Sequence, residues 1–197
     1  MLESARSRLK AWVVAGIGTA AAIAVAGVLG AFEARHAKVP VLTPAGPIET
    51  GQWLLQPVKA YVTPQKYVYG TLRTPGTKAL VFEVDLTDRT AQSTKDYFEL
   101  LQATQPPLDP AARPYIVLTR DSTLSPELHP GMTDRIAYIW ELPENAAAPA
   151  SLDLTVMSKI YKQRDNLYGL PGWFNPKPIG TLAVPVGPAP ATGEGQP

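Results

Sequence analysis

The sequence predicts an all-β domain standing behind a single N-terminal transmembrane helix. Three observations predict it. Residues Ala11 to Phe32 form one charge-free apolar run. Beyond it, short stretches alternate apolar and polar residues with the period of a half-buried strand. Between these stretches lie most of the 21 prolines, about twice the average share.

Composition narrows the chemistry. The formal net charge is +1 in 197 residues, with the charges scattered, so no field draws in nucleic acid. There is no cysteine, which removes disulfides, thiolate metal sites and cysteine nucleophiles. The domain must therefore be held by an apolar core.

Residues 1–10 form a basic stub with Arg6, Arg8 and Lys10 against Glu3. Such a stub is expected to stay in the cytoplasm, which makes the rest extracytoplasmic. The run 11–32, as a helix, spans about 33 Å against about 30 Å of hydrocarbon. A cleaved signal peptide is the rival. Its apolar region would be shorter, and Phe32, Glu33 and Arg35 suit a signal peptidase poorly. An uncleaved anchor in the cell membrane is the expectation. Gly18, Ala22, Ala26 and Gly30 recur every fourth residue. They offer a close-packing face for another membrane helix, or reflect chance in an Ala- and Gly-rich span. Residues 33–46, with "KVPVLTPAGP", predict an extended linker, and residues 187–197 a low-complexity tail.

Residues 47–186 remain as one domain. In "ALVFEVDLT" Leu80, Phe82, Val84 and Leu86 face one way, and Val81, Glu83, Asp85 and Thr87 the other. In "RIAYIWEL" the apolar face is Ile136, Tyr138, Trp140 and Leu142; in "SLDLTVM" it is Leu152, Leu154 and Val156. "QWLLQPVKAYV", "PYIVLT" and "GTLAVPV" read the same way, less cleanly. His129 to Met132, "HPGM", predicts a type II turn with Gly131 at positive φ. "STKDYFELLQA" predicts a short helix capped at Ser93 or Thr94. "PQKYVYGTLRTP" (64–75), with Tyr67, Tyr69 and Arg73, fits a hairpin-like binding surface or an ordinary edge strand. About seven strands predict an antiparallel sandwich of immunoglobulin-like topology without its disulfide.

The succession "ALVFEVDLTDRT" and then "LSPELHPGMTDRIAYIWELPENAAAPASLDLTV" resembles a broad group of bacterial extracytoplasmic Ig-like domains of unknown function. With the stub, helix and Pro-rich linker, the layout resembles uncharacterised single-pass membrane proteins of high-GC Gram-positive bacteria. The resemblance implies a fold and a topology, and carries no catalytic residues. It also implies an accessory subunit of a membrane complex, exporters among them.

No catalytic constellation emerges. His36 and His129 lack partners at ligand spacing, and neither a nucleophile elbow nor a phosphate-binding loop occurs. Asp85 and Asp88 flank a strand end and fit either a shared cation or solvated turns. No enzyme activity, cofactor or metal is expected. The stretch "KIYKQRDNLYGLPGWFNP" (159–176) predicts a long loop between strands. Tyr161, Arg164, Tyr168, Trp173 and Phe174 are its candidate contacts. The alternative is a cover for the sandwich, with Trp173 and Phe174 as a satellite core. The leading expectation is a non-enzymatic accessory subunit docked to other membrane proteins. The alternative is an anchored module that binds a cell-envelope glycan or peptide by itself.

Overall fold

The computed structural model describes residues 39–104, 108 and 113–190, with positions 20, 21, 24, 25 and 28 in helical conformation. The chain divides into two compact units, Met1–Lys38 and Val39–Pro197. Gly18, Ala22, Ala26 and Gly30 lie outside the described residues. Among the described residues no helix is long and apolar enough to cross a membrane.

The second unit is all-β. Its strands are β1 (Val41–Leu42), β2 (Ile48–Glu49), β3 (Trp53–Thr63), β4 (Tyr67–Val68), β5 (Thr71–Leu72) and β6 (Thr77–Asp88). They continue with β7 (Leu101–Ala103), β8 (Tyr115–Leu118), β9 (Thr133–Pro143), β10 (Ser151–Lys162) and β11 (Gly172–Gly187). One ladder runs β7-β10-β11-β3-β6-β9-β8, with β1 beside β11 and β2 beside β3. Its two halves meet where β11 runs parallel to β3, Val186 opposite Ala60 and Gly187 opposite Tyr61. The ladder folds there into a two-layered sandwich with one shared core.

The alternation seen in the sequence builds that core. Leu80, Phe82, Val84 and Leu86 of β6 join Ile136, Tyr138, Trp140 and Leu142 of β9 in one cluster. Leu152, Leu154 and Val156 of β10 and Leu182 and Val184 of β11 complete it from the other layer. Each such side chain contributes about 1.5–3 kcal/mol by leaving water. Pro57 sits inside β3 because the register with β6 shifts between Pro57 and Lys59, where a bulge leaves its missing N–H without consequence.

The outer face of the β6 layer is also covered. Val68 and Tyr69 lie buried in a second cluster with Tyr61, Ala79, Val81, Val117, Ala137 and Ile139. The β4–β5 hairpin turns through Tyr69 and Gly70, both at positive φ (46° and 70°), as a two-residue type I′ turn requires. Segment 64–75 is thus a hairpin laid over a sheet face rather than an edge strand. Under it, Glu83 is 2% exposed, accepts from the Tyr69 hydroxyl at 2.6 Å and pairs with Lys59 at 3.3 Å. Burial pushes the Tyr61 phenol up to about 12, and burial with the Glu83 contact pushes Tyr69 up as well.

Three expectations need correction. The stretch from Ser93 is not a helix: Thr94 bridges Leu128, turns follow, and Leu101–Ala103 is a strand. Tyr97, Leu100 and Leu101 have helical spacing, but Tyr97 is held by Trp53, ring centroids 5.9 Å apart, and donates to the Pro126 carbonyl. The linker 33–46 is not wholly outside the domain. Val41 and Leu42 pair with Thr181 and Leu182, and the Thr181 N–H donates to the Pro40 carbonyl at 2.8 Å. Leu42 packs where a Cβ on Gly180 would stand, so glycine is required there. The last strand begins at Gly172 rather than Thr181, which turns the supposed long loop into a hairpin.

Candidate functional site

β10 and β11 form an arm at one end of the sandwich. There Ile160 pairs with Phe174, Tyr161 with Trp173 and Lys162 with Gly172. The arm exists because the Asp165 turn reverses the chain tightly. The Asp165 carboxylate accepts from the N–H groups of Leu167 (2.9 Å) and Tyr168 (3.1 Å). Its own N–H donates to Leu170 O at 2.9 Å, and Gly169, at φ 70°, donates back to Asp165 O at 2.8 Å. The two amides, with help from Lys162, hold the Asp165 carboxyl below its usual range.

Register sorts the aromatic residues onto two faces. Tyr161 and Trp173 share one face, ring centroids 5.5 Å apart at 59°. Phe174 and Lys162 share the other, with the ammonium 5.5 Å from the ring centroid, a cation–π contact. Trp173 leans over the base of the arm, its ring edge 3.7 Å from where a Cβ of Gly51 would stand.

The Tyr161–Trp173 face opens onto a cleft of about 310 Å³. Its opposite wall is the polar crossing from Thr90 to Asp96, with Gln52 between. That wall is internally bonded. Asp88, fully buried, accepts from the Thr90 N–H at 2.8 Å, while its Oδ2 has no partner. Thr90 Oγ1 donates to Gln92 O at 2.7 Å, and Ser93 Oγ lies 2.7 Å from His129 Nδ1. Asp96 is ion-paired with Lys159, which also reaches Glu99 at 3.5 Å. Aromatic rings on one side and hydroxyl, amide and carboxylate groups on the other suit an elongated polar ligand with an apolar face.

The candidate contacts therefore separate. Tyr161 and Trp173 meet in the cleft; Phe174 lies on the reverse face; Arg164 and Tyr168 stand exposed on the turn. The crossing 90–96 and Gln52 were missed. Their signal was weak, a polar run "TAQST" between two strands. Asp85 and Asp88 do not converge on a cation. Asp85 holds Arg135 in a two-pronged pair at 2.7 and 2.9 Å, and Asp88 caps the Thr90 turn. His129 and Ser93 touch, but among the described residues no carboxylate bonds to His129. No group of three metal-ligating side chains occurs among the described residues. The HPGM turn is as expected, with Gly131 at φ 70° and Met132 N–H donating to His129 O at 3.1 Å.

No protein-family model matches the chain, and no curated protein matches it. Among solved structures it is similar to an uncharacterized β-sandwich protein from Clostridium difficile 630, at 10% identity and a TM-score of 0.49. That likeness covers 77% of this chain and 99% of the other.

Proposed function

We propose that this is a single-pass membrane protein whose extracytoplasmic Ig-like sandwich is a non-enzymatic binding module for an extended cell-envelope ligand, a glycan or a peptide. The observation that carries the proposal is the Tyr161–Trp173 pair. It forms an aromatic wall facing a hydrogen-bonding wall across a cleft of ligand size. The anchor is supported by the charge-free run 11–32 and by exposed Val25 and Val28 on helical backbone. The immunoglobulin-like assignment is supported by two layers, antiparallel except where β11 meets β1 and β3, over one core.

The test is binding of the detergent-solubilised full chain to purified envelope polysaccharide and to peptidoglycan peptides. Trp173→Ala is expected to weaken binding at least tenfold, the loss of one half-buried aromatic anchor that a ligand would cover. Equal binding by wild type and Trp173→Ala would show that the cleft does not hold the ligand.

A second reading is favoured by the exposed Leu167, Tyr168 and Leu170. In it the chain is an accessory subunit of a membrane complex, possessing a helix that docks through Gly18, Ala22, Ala26 and Gly30. Gly18→Leu with Ala22→Leu would then release a stoichiometric partner during purification in mild detergent. Purification of the wild type alone, as a monomer, would count against it.

A further inference from the structure

The tip of the arm is unusual for a soluble surface. Leu167, Tyr168 and Leu170 are 78%, 70% and 63% exposed, side by side on one turn. Of the four cations in 159–178, Lys159 is paired with Asp96 and Glu99 and Lys162 with Asp165, while Arg164 and Lys177 have no carboxylate partner among the described residues. Asp165 is also engaged by the backbone of the turn. The N–H groups of Leu167, Tyr168 and Gly169 all have partners within the turn, so carrying it out of water strands none of these donors. Apolar and aromatic side chains over three satisfied N–H groups, with the cations Arg164 and Lys177 on the same arm, match the chemistry of an anionic lipid surface.

The direction of the chain points the same way. β1 runs parallel to β11, with Val41 beside Thr181 and Leu42 beside Leu182. Pro40 therefore lies toward the end of β11 that leads back to the arm. From Thr181 back to Gly172 the strand covers about 30 Å. Residues 33–40, between the expected span and β1, reach at most about 29 Å when extended. A span ending at Phe32 would be joined to β1 by a length of chain no longer than the arm.

We propose that the tip, Leu167 to Leu170, seats in the headgroup region of an anionic lipid surface, the one that holds the chain's own anchor. The inference rests on the anchored reading above. It gives the domain two attachments to one surface, and holds the Tyr161–Trp173 cleft close to the bilayer.

The test uses the full chain in liposomes of phosphatidylcholine with phosphatidylglycerol. The absence of native cysteine makes single-site labelling clean. A nitroxide is placed at Leu170→Cys, and for comparison at Ala147→Cys in the β9–β10 turn at the opposite end. Collision with oxygen, which concentrates in lipid, is compared with collision with a water-soluble nickel chelate. The oxygen-to-nickel ratio is expected to be several-fold higher at position 170 than at 147. Arg164→Glu with Lys177→Glu should bring it down toward the value at 147. Equal ratios at the two sites, in protein that stays in the liposomes through an alkaline wash, overturn the lipid contact and leave the anchor intact. Protein that washes off overturns both. A label at 170 shielded from both reagents in native membranes, but open to nickel in liposomes that hold this chain alone, identifies a protein cover and likewise overturns the proposal.

Discussion

Replacing Gly180 with alanine should loosen the strand that brings the chain into the domain. Gly180 is buried on β11 and faces Leu42, whose side chain fills the volume a Cβ would need. Leu42 is part of the rim of the main core, so it has little room to withdraw. Overpacking of this kind costs about 1–3 kcal/mol. Leu42→Ala alone removes a partly buried side chain, at about half the 2–5 kcal/mol of a fully buried one. In the double variant the overlap is gone. Against the Leu42→Ala background, Gly180→Ala should then cost nothing, or stabilise by about 0.4–1 kcal/mol by restricting the unfolded chain. The expected coupling is therefore about 1–3 kcal/mol. Urea unfolding of the 39–197 unit measures it, with buried Trp53 and Trp140 as reporters. Additivity of the two substitutions within about 0.5 kcal/mol would refute the reasoning. It would mean that Leu42 does not lie against Gly180 and that β1 does not set the direction of entry.

Two further outcomes are open to measurement. Glu83→Ala leaves the Tyr69 hydroxyl buried without its acceptor and should destabilise by about 1–3 kcal/mol in chemical denaturation; Glu83→Ala in a Tyr69→Phe background should cost distinctly less. The Asp165 carboxyl, held down chiefly by the Leu167 and Tyr168 amides, should titrate below its ordinary value of 3.8. A lowered folded value means that the turn is fully supported above the ordinary carboxylate range and loses that support as pH falls through the folded value. The amide shifts of Leu167 and Tyr168 report it by NMR, and a midpoint at or above the ordinary value would show that the two bonds are not formed.

Most of the sandwich was legible in the chain because its information is local. Side chains on a strand alternate with period two, so Leu80, Phe82, Val84 and Leu86 declare a buried face without reference to any partner. The same holds for Ile136 to Leu142 and for Leu152 to Val156. Pro-Gly chemistry likewise marked the turn at Gly131, since a positive φ is a property of one residue. What failed was whatever depended on a distant neighbour. The spacing of Tyr97, Leu100 and Leu101 is helical in isolation, but contacts with Trp53 and Pro126 outweigh a weak local preference. The face bearing Val81 and Glu83 looked half polar because the hairpin that buries it comes from residues 67–72. Trp173 and Phe174, amid proline and glycine, did not look like a strand; their partners Tyr161 and Ile160 across the turn make them one. The aromatic and cationic residues of the candidate site could be read from composition. Their division between a cleft, a reverse face and an exposed tip follows from register, which belongs to pairs of strands and not to either strand alone.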